Sequence, residues 1–156
     1  MIAVLQRAAK AAVRAEGNTV GEIGHGLLVL LGVAKEDTRE DAELLCKKIL
    51  ACRIFEDEAG KMNLSVRDVQ GSVLVVSNFT LMANYSHGNR PEFFAAARPE
   101  QAIPLYEYFV DLVRRDGTPV ATGEFGADMK IELCCDGPVT IVMESDKLKK
   151  KKESAQ

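Results

Sequence analysis

No apolar stretch in this 156-residue chain approaches a membrane span: the longest, Leu27-Leu28-Val29-Leu30-Leu31, falls far short of the 18 or so residues a crossing helix needs. The opening MIAVLQRAAK lacks the basic start and long apolar core of a signal peptide, so a soluble, non-secreted, cytoplasmic protein is expected. Histidine is scarce. His25 lies between two glycines and His87 in a polar stretch, and neither stands with a cysteine at a zinc-ligand spacing, so no metal is expected. Cys134 and Cys135 are adjacent, and Cys46 and Cys52 read as one helix, which suits reduced thiols better than a disulfide framework. There is no G-x-S-x-G, G-x-x-x-x-G-K or G-x-G-x-x-G, which argues against a hydrolase nucleophile elbow and a nucleotide-phosphate cradle. Repeats and Ser/Pro-rich linkers are also missing.

What is present describes one globular domain. Hydrophobic residues make up 47% and charged residues 28%, enough apolar content for a real core. The net charge of −3 hides an asymmetry, because from Ser145 onward five lysines stand against Asp146 and Glu153, leaving residues 1–144 at −6. An acidic body does not steer itself onto nucleic acid, although a basic tail can add non-specific phosphate contacts. Residues 1–145 are expected to form the domain and residues 146–156 a Lys-rich, mobile tail.

Hydrophobic period divides the body. Ile2–Gln6, Ala12–Ala15 and Thr19–Ile23 are short strand candidates, with a hairpin signal at Glu16-Gly17-Asn18. The unbroken run Leu27–Val33 suggests a central strand covered on both faces. Thr38-Arg39-Glu40-Asp41 resembles an acidic capping box, and Ala42, Leu45, Ile49 and Cys52 follow at helical spacing, predicting a helix over 39–52. A second stripe, Leu105, Phe109, Leu112 and Val113, follows the breakers Pro99 and Pro104 and ends at Gly117. Gly71–Ser77, Val120–Thr122, Met129–Leu133 and Val139–Glu144 read as strands. Two principal helices among clustered strands predict an α+β fold with mainly antiparallel, barrel-like sheets. The stretch from Phe79 to Pro99, rich in Asn, Gly, Arg and Pro, is long for a loop and suits a binding surface.

Few residues offer chemistry. Ser77-Asn78-Phe79-Thr80 stands where the apolar strand Val73–Val76 runs out, but spacing alone equally suits hydroxyls that only bond the strand end. Glu56-Asp57-Glu58 before Gly60 looks like a solvated turn rather than an acid/base pair. Asp136-Gly137-Pro138 places Gly-Pro directly before a β-branched strand, where either an ordinary turn or a cis peptide would serve.

Taken together, Phe55-Glu56-Asp57 with KMNLS (61–65), SNFTL (77–81), GNRPEF (88–93), ARPEQAIPLYEYF (97–109), TGEFGADM (122–129) and DGPVT (136–140) resemble the D-aminoacyl-tRNA deacylases, in order and spacing, from Met1 to about Ser145. The resemblance implies a homodimeric α+β domain that hydrolyses the ester joining a D-amino acid, or glycine, to the terminal ribose of tRNA, without metal or organic cofactor. It implies a pocket walled by Ser77, Asn78, Phe79 and Thr80, with main-chain amides around Asn78 and Phe79 meeting the ester carbonyl and the tRNA's own 2′-hydroxyl assisting. Thr80 is the alternative nucleophile. Ala102, Phe125 and Met129 would line the pocket, and Gly137 and Pro138, as a Gly-cis-Pro element, would reach into the partner subunit's site and exclude L-amino acids. The chain departs from the family pattern at Asn78, usually Gln, at Cys135, usually Asn, and at His87, often a basic residue. Two other readings keep these residues: a weakened homologue that grips the acceptor end with little turnover, and a nucleic-acid-binding protein working through its lysine tail.

Overall fold

The computed structural model describes residues 1–153, with side chains to Lys149. Strand β1 (Ile2–Ala15) is the spine. Along one edge its first half pairs antiparallel with β3 (Gly26–Gly32) and its second half with β2 (Asn18–Ile23). Along its other edge it pairs antiparallel with β8 (Met129–Glu144) over nearly its whole length. From β3 the sheet continues in parallel through β6 (Ser72–Ser77) to β7 (Val120–Thr122). The small hairpin β4 (Phe55–Glu56) and β5 (Met62–Leu64) stands apart. The path β2-β1-β3-β6-β7 curls almost into a barrel: a Cβ on Gly21 of β2 would lie 2.1 Å from the Thr122 carbonyl oxygen of β7, so only glycine permits that approach.

The sheet is therefore mixed: β1 pairs antiparallel with all three of its neighbours, as expected of a mainly antiparallel fold, but β3–β6 and β6–β7 are parallel. The period of β3 shows why its run is continuous. Leu27, Val29 and Leu31 point into the core beneath the helices, while Leu28 joins Ala8, Val13, Leu74 and Val76 on the opposite face. Strands buried on both faces are those that parallel pairing tolerates. The expected Ile2–Gln6 and Ala12–Ala15 strands are one strand, as are Met129–Leu133 and Val139–Glu144. Small residues between them, Ala8, Ala9 and Ala11, blur the alternation, while the ladder crosses the gap through irregular pairing at Ala8 and Lys10.

Helices α1 (Arg39–Leu50) and α2 (Pro99–Arg115) cover one face, burying Leu45, Ile49, Phe109 and Val113. Asp41 closes the start of α1 by accepting the Thr38 backbone N–H at 2.8 Å. Pro104 sits inside α2 rather than before it; the carbonyl it leaves without an amide partner belongs to the exposed Glu100 in the first turn, where the loss is tolerable. A third helix, α3 (Ser145–Glu153), occupies much of the Lys-rich segment. It docks through a buried polar cluster: Asp41 accepts from the Ser145 hydroxyl at 2.6 Å and pairs with Lys149 Nζ at 2.7 Å, and the Met1 amino group donates to Ser145 Oγ at 2.9 Å and to Asp37 at 2.5 Å. Among the described residues no helix is long and apolar enough to cross a membrane.

Candidate active site

Where β6 runs out, its last residue and the two that follow, Ser77, Asn78 and Phe79, form one wall of a cavity of about 480 Å³. Ala102 and Tyr106, four residues apart on one face of α2, line it with Phe125 and Met129 from the segment leading into β8. Six of the nine residues singled out from sequence thus converge: Ser77, Asn78, Phe79, Ala102, Phe125 and Met129. Thr80, Gly137 and Pro138 do not line it. Thr80 is exposed, and its hydroxyl donates to Asn78 Oδ1.

Among the described residues, no Asp, Glu, His, Cys, Lys or Arg contributes to the lining. His25 packs edge-on against Phe55 at 5.1 Å between ring centres, and His87 lies exposed in its loop. Tyr106 is the sole titratable side chain in the lining, and burial pushes its phenol up to about 12. Its hydroxyl donates to the Val75 carbonyl at 2.8 Å and its ring meets Phe125 at 5.8 Å, so it braces the floor instead of moving protons. Tyr106 stands one helical turn beyond Ala102, a spacing that could have identified it from the LYEYF string.

Main-chain donors remain. The Asn78 N–H is already committed to the Leu31 carbonyl at 2.8 Å, which extends the β3–β6 ladder by one bond. This removes Asn78 from the available amides. The next two N–H groups, of Phe79 and Thr80, open a one-turn 3₁₀ helix (Phe79–Met82) and have no protein acceptor among the described residues. Donors held this way by a strand end can meet developing negative charge without rearranging.

Gly137 and Pro138 lie elsewhere. Cys135 pairs with Ala8 and Thr140 with Gln6, so Asp136–Val139 loop out of β8 opposite Arg7 alone. The Gly137–Pro138 bond is cis, and both residues are exposed. Gly137 has φ +142°, and a Cβ there would sit 2.5 Å from the Val139 nitrogen. Two consecutive β1 residues that sequence reasoning missed hold the base of this projection. Arg7, 5% exposed, donates from Nε to the Asp136 carbonyl at 3.0 Å and from Nη1 to the Ile54 carbonyl at 2.8 Å. The Gln6 carboxamide oxygen accepts from the Thr140 hydroxyl at 2.6 Å and from the Cys135 thiol at 3.7 Å. At Cys135 the shorter side chain therefore still reaches β1. The cysteines are all free, Cys46 buried with its thiol pushed up to about 11 by desolvation, and no cluster of metal-ligating side chains occurs among the described residues.

A sequence profile described as D-Tyr-tRNA(Tyr) deacylase matches residues 4–144. The chain belongs to that family. A D-aminoacyl-tRNA deacylase of Geobacter sulfurreducens is 56% identical over 145 residues, covering 93% of this chain and 95% of its own. Another, of Thermotoga petrophila, is 54% identical over 148 residues, covering 95% and 99%. Among solved structures, one described as a c-Myc DNA unwinding element binding protein superposes with a TM-score of 0.88 at 43% identity, covering 92% of this chain and 98% of that one. A probable eukaryotic D-amino acid tRNA deacylase shares the fold, with a TM-score of 0.77 at 17% identity over 92% and 98% of the two chains.

Proposed function

We propose that this deacylase-family chain hydrolyses the ester between a D-amino acid, or glycine, and the terminal ribose of tRNA, as a cytoplasmic homodimer needing no metal or organic cofactor. The observation that carries the reading is a pocket of about 480 Å³ with mostly apolar walls and no acid, base or thiol in its lining, at the strand end that bears Ser77-Asn78-Phe79. Such a site suits a substrate that brings its own proton carrier. The ester carbonyl is met by the unpaired amide of Phe79, the lining residue whose N–H is uncommitted, worth about 3–4 kcal/mol on a developing oxyanion. Water adds to the carbonyl carbon while the adjacent ribose hydroxyl takes its proton and passes its own to the departing ribose oxygen. The C–O bond breaks, and a free amino acid and a free ribose hydroxyl result. Thr80, tied to Asn78 and outside the pocket, supports that wall rather than attacking.

Discrimination falls to the projection at Gly137-Pro138, inserted into the partner subunit's pocket so that its carbonyl oxygens occupy the space an L side chain would need. Such a device rejects the wrong hand without recognising any particular D side chain. Its support is geometric: the projection is exposed, held from below by Arg7 and Gln6, and absent from the lining of its own chain's pocket. On the same strand Val142 is 61% and Ile131 39% exposed, apolar surface that a second copy would cover.

The deciding experiment compares hydrolysis of D-tyrosyl-tRNA and L-tyrosyl-tRNA at several protein concentrations while the association state is followed. Rapid loss of the D ester alone, declining as the dimer dissociates, is expected. Persistence of both esters with a folded dimer would refute the reading.

A further inference from the structure

The segment that follows the pocket-lining Phe79 carries further aromatic side chains that stay exposed. Phe79, 58% exposed, meets Phe93 edge-on at 5.2 Å between ring centres. Tyr85 is 79% and Phe94 77% exposed. The segments carrying them are held together by an antiparallel bridge, with the Asn84 N–H donating to the Glu92 carbonyl at 2.8 Å and the reverse bond at 2.9 Å. Exposed rings this size, on bridged segments joined to the pocket wall through the Phe79–Phe93 contact, mark a surface that something covers.

Charge says what covers it. Arg90 and Arg98 lie in the same stretch, both exposed and neither in an ion pair among the described residues. Its one acid, Glu92, is occupied in accepting the Phe94 N–H at 2.7 Å. Residues 83–98 are thus net positive on a body that is net negative. Flat π-faces beside unpaired guanidinium groups suit unstacked bases joined by phosphates; a duplex, whose bases are already stacked, offers these rings nothing.

We propose that Tyr85 and Phe94, with Arg90 and Arg98, form a stacking platform for the unpaired nucleotides that precede the terminal ribose, drawing the single-stranded acceptor end toward the pocket. The proposal rests on the reading that an aminoacylated RNA end enters that pocket. These residues bind the strand and do not touch the reacting ester.

The test uses a Tyr85→Ala, Phe94→Ala double variant of the full chain and an aromatic-preserving Tyr85→Phe, Phe94→Tyr control. Three quantities are read: anisotropy of a fluorescent single-stranded RNA ending in CCA, kcat and KM on D-tyrosyl-tRNA, and hydrolysis of D-tyrosyl adenosine, which has no preceding nucleotides. The double variant should bind the RNA at least about thirtyfold more weakly and raise KM on the tRNA ester by a similar factor, with kcat and the adenosine ester unaffected and the control behaving as wild type. Unchanged RNA affinity would overturn the platform, as would equal slowing on both esters. A change in association state would overturn it too, assigning the patch to a second copy. If the wild type cleaves neither ester but the double variant still loses RNA affinity, the platform stands and the proposed hydrolysis fails.

Discussion

Arg7, in the middle of β1, holds the carbonyl of Asp136, 129 positions away in sequence and immediately before Gly137-Pro138. The same guanidinium binds the Ile54 carbonyl and approaches the Asp136 carboxylate at 3.4 Å, so one buried side chain ties the projection to the sheet and to the segment after α1. Arg7→Met removes both donors, and each buried carbonyl left without one costs about 1–3 kcal/mol. A lowered Tm is expected, together with at least a roughly tenfold fall in the ratio of D-ester to L-ester hydrolysis, because a loosened projection admits the L side chain. Arg7→Lys, a point donor in place of a planar fork, should fall between. An unchanged D-to-L ratio in Arg7→Met would remove the anchoring role.

A pocket without an acid or base in its lining makes a kinetic prediction. General-base catalysis by a side chain contributes roughly 10²–10⁴-fold and leaves an inflection at that group's pKa. Tyr106, raised to about 12 by burial, is the one titratable group in the lining among the described residues, so any inflection in kcat between about pH 6 and 9 should match the substrate's own α-amino group and no protein side chain. Thr80→Ala should retain activity within about tenfold. An inflection near neutrality that persists when the substrate's α-amino group is blocked would bring a histidine into the chemistry, and loss beyond about a hundredfold in Thr80→Ala would make its hydroxyl a participant.

The parts of this molecule legible in its sequence are those written locally. Helix α1 follows from Thr38, Asp41 and the stripe Ala42, Leu45 and Ile49, and β7 from its three residues, Val120–Thr122. The direction in which β3, β6 and β7 pair is a long-range property that no local period encodes, hence two parallel pairings that went unforeseen in a sheet expected to be mainly antiparallel. The continuity of β1 and β8 was hidden by alanines and by residues looped out of register. In the site, six side chains could be placed on the pocket wall from family strings, whereas the engaged amide of Asn78 and the free ones of Phe79 and Thr80 are backbone states that residue types do not reveal. Arg7 was missed because a lone arginine in an apolar strand has no meaning until its distant carbonyl partners are known.

Gly137→Ala separates projection from fold. The added Cβ would lie 2.5 Å from the Val139 nitrogen and 2.9 Å from its Cγ2 at a φ of +142°, so the chain must shift; Gly137 itself is exposed, although Val139 packs against the edge of the core. The Tm should fall by several degrees, in keeping with a strain cost of about 1–3 kcal/mol, without loss of the fold. The D-to-L ratio should fall at least about tenfold. A large loss of Tm with discrimination intact would show the glycine to be structural only.

Asp41 gives the fold a defined acid limb. Burial alone would raise its carboxyl, but Lys149, the Ser145 hydroxyl and the Thr38 amide together lower it from 3.8 to about 2. A carboxyl depressed on folding stabilises the native state fully above its unfolded value, and the stabilisation disappears as pH falls through the folded one. The contribution, on the order of 2 kcal/mol, should thus be complete above about pH 4 and gone below about pH 2. Asp41→Asn should lower stability at pH 7, with the difference from wild type shrinking across that window. Lys149→Met should move the loss toward higher pH by removing the cation that holds the carboxylate down. Denaturant midpoints measured from pH 2 to 7 read both effects; a constant gap between wild type and Asp41→Asn across that range would mean that the carboxylate's charge is not what holds α3 to the start of α1.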